Sequence, residues 1–432
     1  MQFLRNLGKN TFSSLSVRNY RLYFIGQAIS LIGTWMQTIA QGLLVLQITH
    51  SGVQLGIITA LQFVPILFFS PVAGIAADKF SKRNILYFTQ GLAGILALIL
   101  GIIVFLGLTK IWMIYILATL LGLVNTFDTI TRQTFVMDLV GKEKLPNAVS
   151  LNSSEVNLAR VIGPLIAGVL ILTIGIAACF IINGISYIAV LVVLALMKSN
   201  EFYGKVIGPK IKNNLKAGFM YVKSTPLLAN SLIMMAIIGT LSYEFTVTLA
   251  IFSQFTFHGN AGTYSLFTAA MGIGSVIGGL YAANLKAKKI NVNKIVLAAL
   301  LFGISIILAA ISPTLIIALI LMIFVGIFSI YYMSLTNTTL QLESKPEMRG
   351  QVMALWSIAF LGSTAVGGPI IGWISQILGG RAGLATGGIA AIIAAGIGAM
   401  LIKKDLVNST TISANGIENT LNIEVEKESR IL

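Results

Sequence analysis

Long apolar segments recur along the whole chain, and short polar segments separate them. A segment of about 20 apolar residues is long enough for a helix to cross the hydrocarbon core of a bilayer. Twelve such segments are predicted and are called spans 1 to 12: 20–47, 54–77, 84–107, 111–136, 147–172, 174–197, 227–253, 262–285, 292–311, 314–340, 350–377 and 382–402. The pattern therefore predicts an all-α polytopic membrane protein.

Composition and charge agree with this prediction. Hydrophobic residues make up 56% of the chain and charged residues 10%, against about 45–50% and 25% in soluble domains. The net charge is +15. Of the 29 Lys and Arg residues, Arg160 lies within span 5 and two, Lys110 and Arg381, are assigned to the side opposite the N-terminus; all the others are assigned to the side of the N-terminus. This asymmetry predicts that both termini are cytoplasmic, and it weighs against nucleic-acid binding.

The sequence gives no support for an enzyme. Its His and Cys residues are His50, His258 and Cys179, which are far apart along the chain and are expected to be loop or packing residues. The phosphate-binding pattern G-x-x-x-x-G-K-[ST] is absent, so uphill transport would draw on an ion gradient. We expect no cofactor and no metal.

An internal repeat divides the chain. Gly74 and Gly279 are 205 residues apart, and the Gly163-Pro164 and Gly368-Pro369 pairs have the same offset. The repeat predicts two pseudo-symmetric six-helix bundles, 20–197 and 227–402, related by an axis along the membrane normal. The flanking regions are a basic segment at 1–19 suited to the anionic inner leaflet, a cytoplasmic linker at 198–226 with an amphipathic run, and a tail at 403–432 predicted to be disordered.

Span 1 carries a polar stripe on an otherwise apolar helix. Its members recur at steps of three and four and so share one face: Gln27, Ser30, Thr34, Gln37 and Gln41. Such a face favours a helix that lines a cavity, and hydrogen bonding between helices is the alternative. Trp35 lies near the middle of the span instead of at an interface, so we expect it either to stack on a ligand or to pack in the core.

Charged residues in spans 4, 5 and 7 are candidates for proton coupling. Asp128 and Arg132 stand one helical turn apart in span 4, Glu155 lies in span 5, and Glu244 is the only acid in a span of the second half. A charge at the centre of a membrane helix costs about 2.5–3.5 kcal/mol on insertion scales, so it indicates a cavity or a partner. We expect the two acids of spans 4 and 5 to share Arg132, and a static structural pair is the alternative.

Further candidates for the substrate cavity lie in spans 5 and 7. Arg160 shares a face of span 5 with Ser153 and Asn157, which suits contact with an anionic substrate or with a carboxylate of span 4. Ser242 and Thr246 of span 7 map through the 205-residue offset onto the last two residues of the span 1 stripe. Both are therefore assigned to the same cavity.

Two stretches resemble a known family. The loop GIAADKFSKR between spans 2 and 3 is similar to the signature G-x-x-x-D-[RK]-x-G-[RK]-[RK], with Ser81 in place of the second Gly. The stretch FDTITRQTF, which starts at Phe127, is followed by LPNA and by NLARVIGP, and this string of motifs is similar to that of one transporter branch. The chain thus resembles the major facilitator superfamily, and within it the enterobactin-exporter-like (transmembrane secretion effector) branch.

The resemblance assigns roles to two groups of residues. The loop implies a conformational latch, in which a carboxylate and three cations hold inner helix ends together: Gly74, Asp78, Lys79, Lys82 and Arg83. Span 5 is similar to the antiporter motif of exporters, and its small residues and those of span 11 are assigned to helix packing: Gly163, Pro164, Gly168, Gly368 and Pro369.

The same resemblance implies a function. It predicts a secondary transporter of the bacterial inner membrane that exports a small molecule, a siderophore or drug, by proton antiport and alternating access. The expected partners are the substrate, protons and membrane lipid, and a monomer is expected to be sufficient. A lipid or lysolipid flippase is an alternative on the same fold, and a non-transporting membrane scaffold is a weaker one, since it would not need the buried charges.

Overall fold

The computed structural model of the chain describes residues 12–203, 215–283, 292–345 and 347–401, and every regular element in these ranges is helical. The predicted tail at 403–432 and the first eleven residues of the basic segment lie outside them. Lys286, Lys288 and Lys289 also lie outside them. These residues stand between spans 8 and 9, where the repeat places the counterpart of the signature loop between spans 2 and 3. The short helices between the spans are Ser13–Ser16, Ser199–Glu201 and Leu215–Ser224.

The spans begin and end close to the predicted positions. In the first bundle they are Arg18–Thr49, Gly52–Lys79, Lys82–Phe105, Ile111–Thr173 for spans 4 and 5 together, and Ile176–Leu196. In the second bundle, span 7 has three parts, which are Pro226–Leu241, Phe245–Ile251 and a π-helical end at Phe252–Thr256. Span 8 is Ala261–Ala283, span 9 is Val292–Ile311 and span 10 is Leu315–Glu343. Span 11 comprises Arg349–Ser357, a π-helical Ile358–Gly362 and Thr364–Leu378, and span 12 is Gly380–Leu401.

Eleven helices of the described ranges are long and apolar enough to cross a membrane. The longest contains 63 residues and comprises spans 4 and 5, which meet at Gly141 with φ +71° and ψ 176°. Glycine adopts this positive φ without the steric cost that a Cβ atom brings. The residues between the predicted spans, 137–146, are instead helical on both sides of Gly141, so the kink between the two spans is confined to this residue.

The N-terminal segment contacts the turn between spans 4 and 5. The Ser14 amide donates a hydrogen bond to Oδ1 of Asn147 over 2.9 Å, and its hydroxyl donates to the carbonyl of Lys144, also over 2.9 Å. The Lys144 ammonium donates to the hydroxyl of Ser16. The described part of this segment is therefore held by protein contacts, in addition to any contact with the inner leaflet.

The two bundles contact each other along two seams near the loops that carry His50 and His258, which we call the outer side. Span 2 lies against span 11, where a Cβ atom on Gly52 would come 2.8 Å from the Gly372 carbonyl oxygen and one on Gly56 would overlap the Gly368 carbonyl. Span 5 lies against span 8, where a Cβ atom on Gly168 would come 2.9 Å from Oγ of Ser265. Small residues permit this close approach.

The repeat is visible in the packing. Gly163 of span 5 lies against Ile32 and Trp35 of span 1, and Gly367 of span 11 lies against Thr240 of span 7. Trp35 and Thr240 are themselves 205 residues apart. In both halves, therefore, a glycine of the fifth span of the bundle lies against the first span, although Gly163 and Gly367 differ by one residue from the 205-residue offset.

Large apolar side chains cover the outside of the bundles. Phe68, Phe88, Phe105 and Ile316 are each at least 70% exposed, and many other Ile, Leu and Phe residues are also exposed. A continuous apolar exterior of this extent is unfavourable in water but matches the hydrocarbon core of a bilayer.

Candidate functional site

A cavity of about 920 Å³ lies between the two bundles. Its wall comes from spans 1, 2, 4 and 5 of the first bundle and from the repeat-related spans 7, 8, 10 and 11 of the second. Toward the inner side it extends to Gln133, Asn152 and Asn337, which lie within about three turns of helix ends. The seams close the outer end, so the cavity opens toward the opposite side, on which span 1 begins and which we call the inner side. We call this conformation inward-open in that sense, and its cavity has room for a drug-sized molecule.

Arg160 and Trp35 form the centre of the cavity wall. The Arg160 Cζ atom lies 4.8 Å from the centroid of the Trp35 ring, which is a cation–π contact. Nε of Arg160 is buried without a hydrogen-bond partner in the described ranges, and the ion pairs found there do not include this residue. Ser153 and Asn157 line the same wall. The guanidinium is thus positioned by an aromatic ring and has donors available for an anion.

Asp128 is held by three side chains. Oδ1 accepts hydrogen bonds from Oγ1 of Thr89 over 3.0 Å and from Nε2 of Gln90 over 2.7 Å, while Oδ2 pairs with Nη2 of Arg132. The carboxylate is buried, with 2% of the residue exposed. Its charge is therefore compensated by one cation and two neutral donors from span 3.

Glu155 also lies near Arg132, but fewer groups compensate its charge. It is buried, its Oε1 atom has no hydrogen-bond partner in the described ranges, and it lies within electrostatic range of the Arg132 guanidinium. Arg132 also lines the cavity. The structure thus brings the two acids and the shared cation together, with the cation bonded to one acid only.

The polar stripe of span 1 lies inside the N-terminal bundle and not on the cavity wall. Oε1 of Gln37 accepts a hydrogen bond from Asn183 of span 6, and Oε1 of Gln41 accepts one from Gln62 of span 2. The hydroxyl of Thr34 donates to the carbonyl of Ser30, and Gln27 and Ser30 are buried. The prediction that these five residues line the cavity differs from the structure, because neighbouring helices cover this face and Trp35 projects from another.

Span 7 is interrupted at 242–244, which the apolar pattern did not predict. Ser242 faces span 12, where its hydroxyl donates to the carbonyl of Gly387 over 2.6 Å, so it lies away from the cavity to which it was assigned. The Tyr243 hydroxyl donates to the carbonyl of Ser329 in span 10 over 2.8 Å, and Thr246 lines the cavity as expected. The interruption is therefore fixed by contacts with two neighbouring helices.

Glu244 is the last residue before span 7 resumes. It is 2% exposed, and its Oε1 atom has no hydrogen-bond partner among the described residues. The carboxylate lies beside the hydroxyl of Thr364 and close to Gly367 in span 11. Glu244 therefore belongs to the other bundle from Asp128, and its neighbours are residues of span 11.

The signature loop connects inner helix ends within the first bundle. Lys82 Nζ lies 2.8 Å from Oδ2 of Asp138 at the inner end of span 4. Arg83 donates through Nε to the carbonyl of Leu194 over 2.8 Å and through Nη1 to the hydroxyl of Ser199 over 2.7 Å, and so reaches the end of span 6. These two cations make the contacts that a latch requires.

The other residues of the loop lie at the surface in this conformation. Asp78 and Lys79 are exposed at the end of span 2. A Cβ atom on Gly74 would have none of the described atoms within 4 Å. The face of span 2 at this glycine is therefore uncovered by the described residues, and a latch between the bundles remains a prediction.

The residues assigned to helix packing lie in close contacts. Gly163 and Pro164 are buried against span 1, and Gly168 lies in the seam with span 8. Gly368 and Pro369 lie in the seam with span 2, where both approach the backbone of Gly56. No group of three or more His, Cys, Asp or Glu side chains that could hold a metal occurs in the described ranges.

Several residues of the second bundle that line the cavity were not found from the sequence. Tyr243, Tyr264, Thr268 and Ser329 are examples. The 205-residue offset could have indicated Tyr243, because it maps onto Thr38, another residue of the cavity wall. Thr38 is not part of the polar stripe of span 1, so the stripe does not indicate Tyr243.

Comparisons with known proteins agree with the fold. The family model for transmembrane secretion effectors matches residues 9–431. The staphyloferrin A transporter of Staphylococcus aureus is 28% identical, over 78% of this chain and 84% of that protein. The enterobactin exporter EntS of Citrobacter koseri is 22% identical, over 90% of this chain and 92% of that protein.

Solved structures show the same fold. A bacterial homologue of the human lysosomal transporter Spinster, in its inward-facing and occupied conformation, aligns with a TM-score of 0.73 at 14% identity, over 89% of this chain and 96% of that one. The nucleoside transporter NupG aligns with a TM-score of 0.69 at 12% identity, over 90% and 98%. The chain is therefore a multi-pass membrane transporter of the major facilitator type, not an enzyme, and it belongs to the transmembrane secretion effector family.

Proposed function

We propose that this transporter exports a small anionic molecule of the siderophore class across the bacterial inner membrane. The observation that carries the proposal is the unpaired Arg160 guanidinium over Trp35 at the centre of the cavity. A half-buried cation whose Nε atom is buried without a partner is unfavourable, and a bound carboxylate, catecholate or similar anion would supply the missing counter-charge. The names of the siderophore transporters to which the chain is similar support this substrate class.

Proton entry is the proposed driving force. Arg132 is bonded to Asp128 and interacts electrostatically with Glu155, whose Oε1 atom is unsatisfied. A proton bound by either acid would weaken its hold on the cation and change the charge of the cavity wall. In an alternating-access cycle this change would be linked to the movement of one bundle against the other.

The proposed orientation follows from the charge asymmetry of the loops. With both termini in the cytoplasm, the cavity of this conformation opens to the cytoplasm and would receive substrate made in the cell. One chain contains the entire cavity and both seams, so a monomer is sufficient for this cycle.

The experiment is transport by the purified protein in proteoliposomes with an imposed pH gradient. The probes are an anionic siderophore, a cationic drug and a fluorescent lysolipid. We expect the siderophore to be transported, and Arg160→Gln to lower its transport by about tenfold or more, the effect of losing one charge-assisted contact. Arg160→Lys should retain part of the activity because it keeps the charge but loses the planar group.

Lys223→Gln is the matched control, because Lys223 is an exposed cation on the linker helix. It should transport at the wild-type rate. Transport of the cationic drug that is unaffected by Arg160→Gln would contradict the proposed substrate class. Movement of the lysolipid alone would instead establish a flippase.

A further inference from the structure

The interruption of span 7 places unusual backbone near a buried acid. The helix Pro226–Leu241 ends here, the amides of Ser242 and Tyr243 both turn back to the carbonyl of Ile238, and the helix resumes at Phe245. Interrupted membrane helices release main-chain carbonyls from the helical pattern, and these are used for ion binding where they face a cavity. The carbonyl of Thr240 lies directly against Gly367 of span 11.

Three kinds of oxygen converge at this point. A Cβ atom on Gly367 would overlap the Thr240 carbonyl oxygen and lie 2.9 Å from Oε1 of Glu244. The hydroxyl of Thr364 lies beside the same carboxylate. The absence of a side chain at Gly367 therefore lets the Thr240 carbonyl oxygen and the Glu244 carboxylate approach the same point of span 11, and the Thr364 hydroxyl lies beside that carboxylate.

Glu244 has no cation to compensate its charge among the residues that the structure describes. The ion pairs found in this part of the chain do not include it. Span 11 contributes no Lys, Arg, Asp or Glu between 350 and 378, and Arg381 of span 12 is bonded to the carbonyls of Ala310 and Ser312. A buried carboxylate in such a setting requires either a proton or a bound cation.

We propose that Glu244, the Thr240 carbonyl and the Thr364 hydroxyl form a sodium site. Hard cations take oxygen ligands of these three kinds. The single carboxylate matches the single charge of Na⁺, and the carboxyl end of the helix Pro226–Leu241 adds a partial negative charge. This site is separate from the proposed proton site around Asp128 and does not depend on the identity of the substrate.

The site has access to the cavity and lies behind the outer seam. Thr364 and Tyr243 line the cavity, so an ion could enter from there. On the other side, a Cβ atom on Gly368 would lie 3.7 Å from Oε2 of Glu244 and 2.9 Å from the Gly56 carbonyl oxygen of span 2. Bound Na⁺ would therefore fix the part of span 11 that closes the cavity toward the outer side.

The test is thermal unfolding of the full-length purified protein in detergent near neutral pH, with choline chloride replaced by NaCl at constant ionic strength. Binding to the folded state raises the midpoint temperature as the ion concentration rises. We expect a saturable rise for wild type with NaCl and a much smaller one with KCl. Glu244→Gln should lose the rise, or need about tenfold or more NaCl to reach it.

Glu343→Gln is the control, because it removes one carboxylate at an exposed position at the end of span 10 and should retain the sodium response. If Glu244→Gln does not fold, Thr364→Val removes one ligand and should weaken the response. A wild-type protein that responds equally to the three salts, or responds only to a lower pH, would overturn the sodium site. An unchanged response in Glu244→Gln or in Thr364→Val would also overturn it. The measurement needs no substrate, so it remains decisive if export is disproved.

Discussion

At the residue scale, the buried acids differ in how completely their charge is compensated. Asp128 has an ion pair and two hydrogen bonds, whereas Glu155 has electrostatic contact with the same arginine but an unsatisfied oxygen. A carboxylate with few partners gains more from taking up a proton than one that is fully bonded. This contrast favours Glu155 as the group that exchanges protons and Asp128 as the group that holds Arg132 in place.

The corresponding prediction is that Glu155→Gln loses transport driven by a pH gradient but retains substrate exchange at equal pH. Asp128→Asn should lose both, because removal of one partner from a buried pair costs about 3–5 kcal/mol and leaves Arg132 uncompensated. Substrate-driven proton release, followed with a pH-sensitive dye inside proteoliposomes, measures the first property. The yield of folded protein after purification checks the second.

The exchange activity of Glu155→Gln is its internal control, since it shows that the cavity still binds substrate. Full pH-gradient-driven transport by both variants would place proton coupling outside this cluster. Glu244 of span 7 would then be the next acid to examine.

At the scale of helices, the two seams depend on glycines that have no room for a side chain. A Cβ atom on Gly56 would overlap the carbonyl of Gly368, while one on Gly74, in the same helix, would meet none of the described atoms. The outer end of span 2 is therefore tightly packed in the inward-open conformation, and its inner end is open. The two positions form a matched pair for testing alternating access.

We predict that Gly56→Ala disfavours the inward-open conformation and that Gly74→Ala does not. Overpacking costs about 1–3 kcal/mol, enough to shift an equilibrium between two conformations about 5- to 150-fold. The measurement is the alkylation rate of Asn337→Cys, a position on the inner part of the cavity wall, in a Cys179→Ala background. Gly56→Ala should slow the reaction, and Gly74→Ala should leave it unchanged or faster.

Equal alkylation rates in the two glycine variants would mean that the span 2 and span 11 contact does not control access to the cavity. The reference rate is that of the protein that carries Asn337→Cys and Cys179→Ala and retains both Gly56 and Gly74. A folded yield equal to this reference is required of both variants, because loss of the fold would also expose the cysteine.

The helices could largely be predicted from the sequence, since their number and bounds follow from apolar length. The interruption at 242–244 could not, because hydropathy does not depend on backbone conformation. The side chains of Ser242 and Tyr243 that hold the interrupted segment find their partners in spans 12 and 10. The stripe from Gln27 to Gln41 shows a similar limit. Periodicity identifies a polar face, but only the packing of the bundle shows that spans 2 and 6 cover it.

The candidate site could be predicted in part. Trp35, Asn157, Arg160 and Thr246 were assigned to the cavity and lie on its wall. Arg160 and Trp35 were found as a charge and an aromatic ring deep in an apolar span, and the charge is costly there without a function. Asn157 was found because it shares a face of span 5 with Arg160, and Thr246 because the 205-residue offset maps it onto Gln41. Residues such as Thr268 and Ser329 gave no such signal, because hydroxyl side chains are common in membrane helices and bond to the carbonyls of their own helix.

At the scale of the whole molecule, orientation decides what the cavity does. An inward-open cavity collects its ligand from the side of the termini, so the direction of transport and the placement of the cationic loops are linked. The asymmetry of Lys and Arg is the sole physical argument for the placement of those loops, and a direct measurement of orientation therefore has the most consequences for the proposed function.

The prediction is that Asn260→Cys, in a Cys179→Ala background, reacts with a membrane-impermeant thiol reagent added outside intact cells or spheroplasts, while Ser81→Cys does not. Asn260 is exposed in the turn before span 8, and Ser81 is exposed between spans 2 and 3, so the two cysteines differ in side and not in burial. Cys179 is buried in span 6 and is replaced only to remove background labelling. Both cysteines should react after the membrane is permeabilised, which controls for intrinsic reactivity. Labelling of Ser81→Cys alone from outside would reverse the orientation; the inward-open cavity would then face the exterior, and the proposal of export would have to be replaced by uptake.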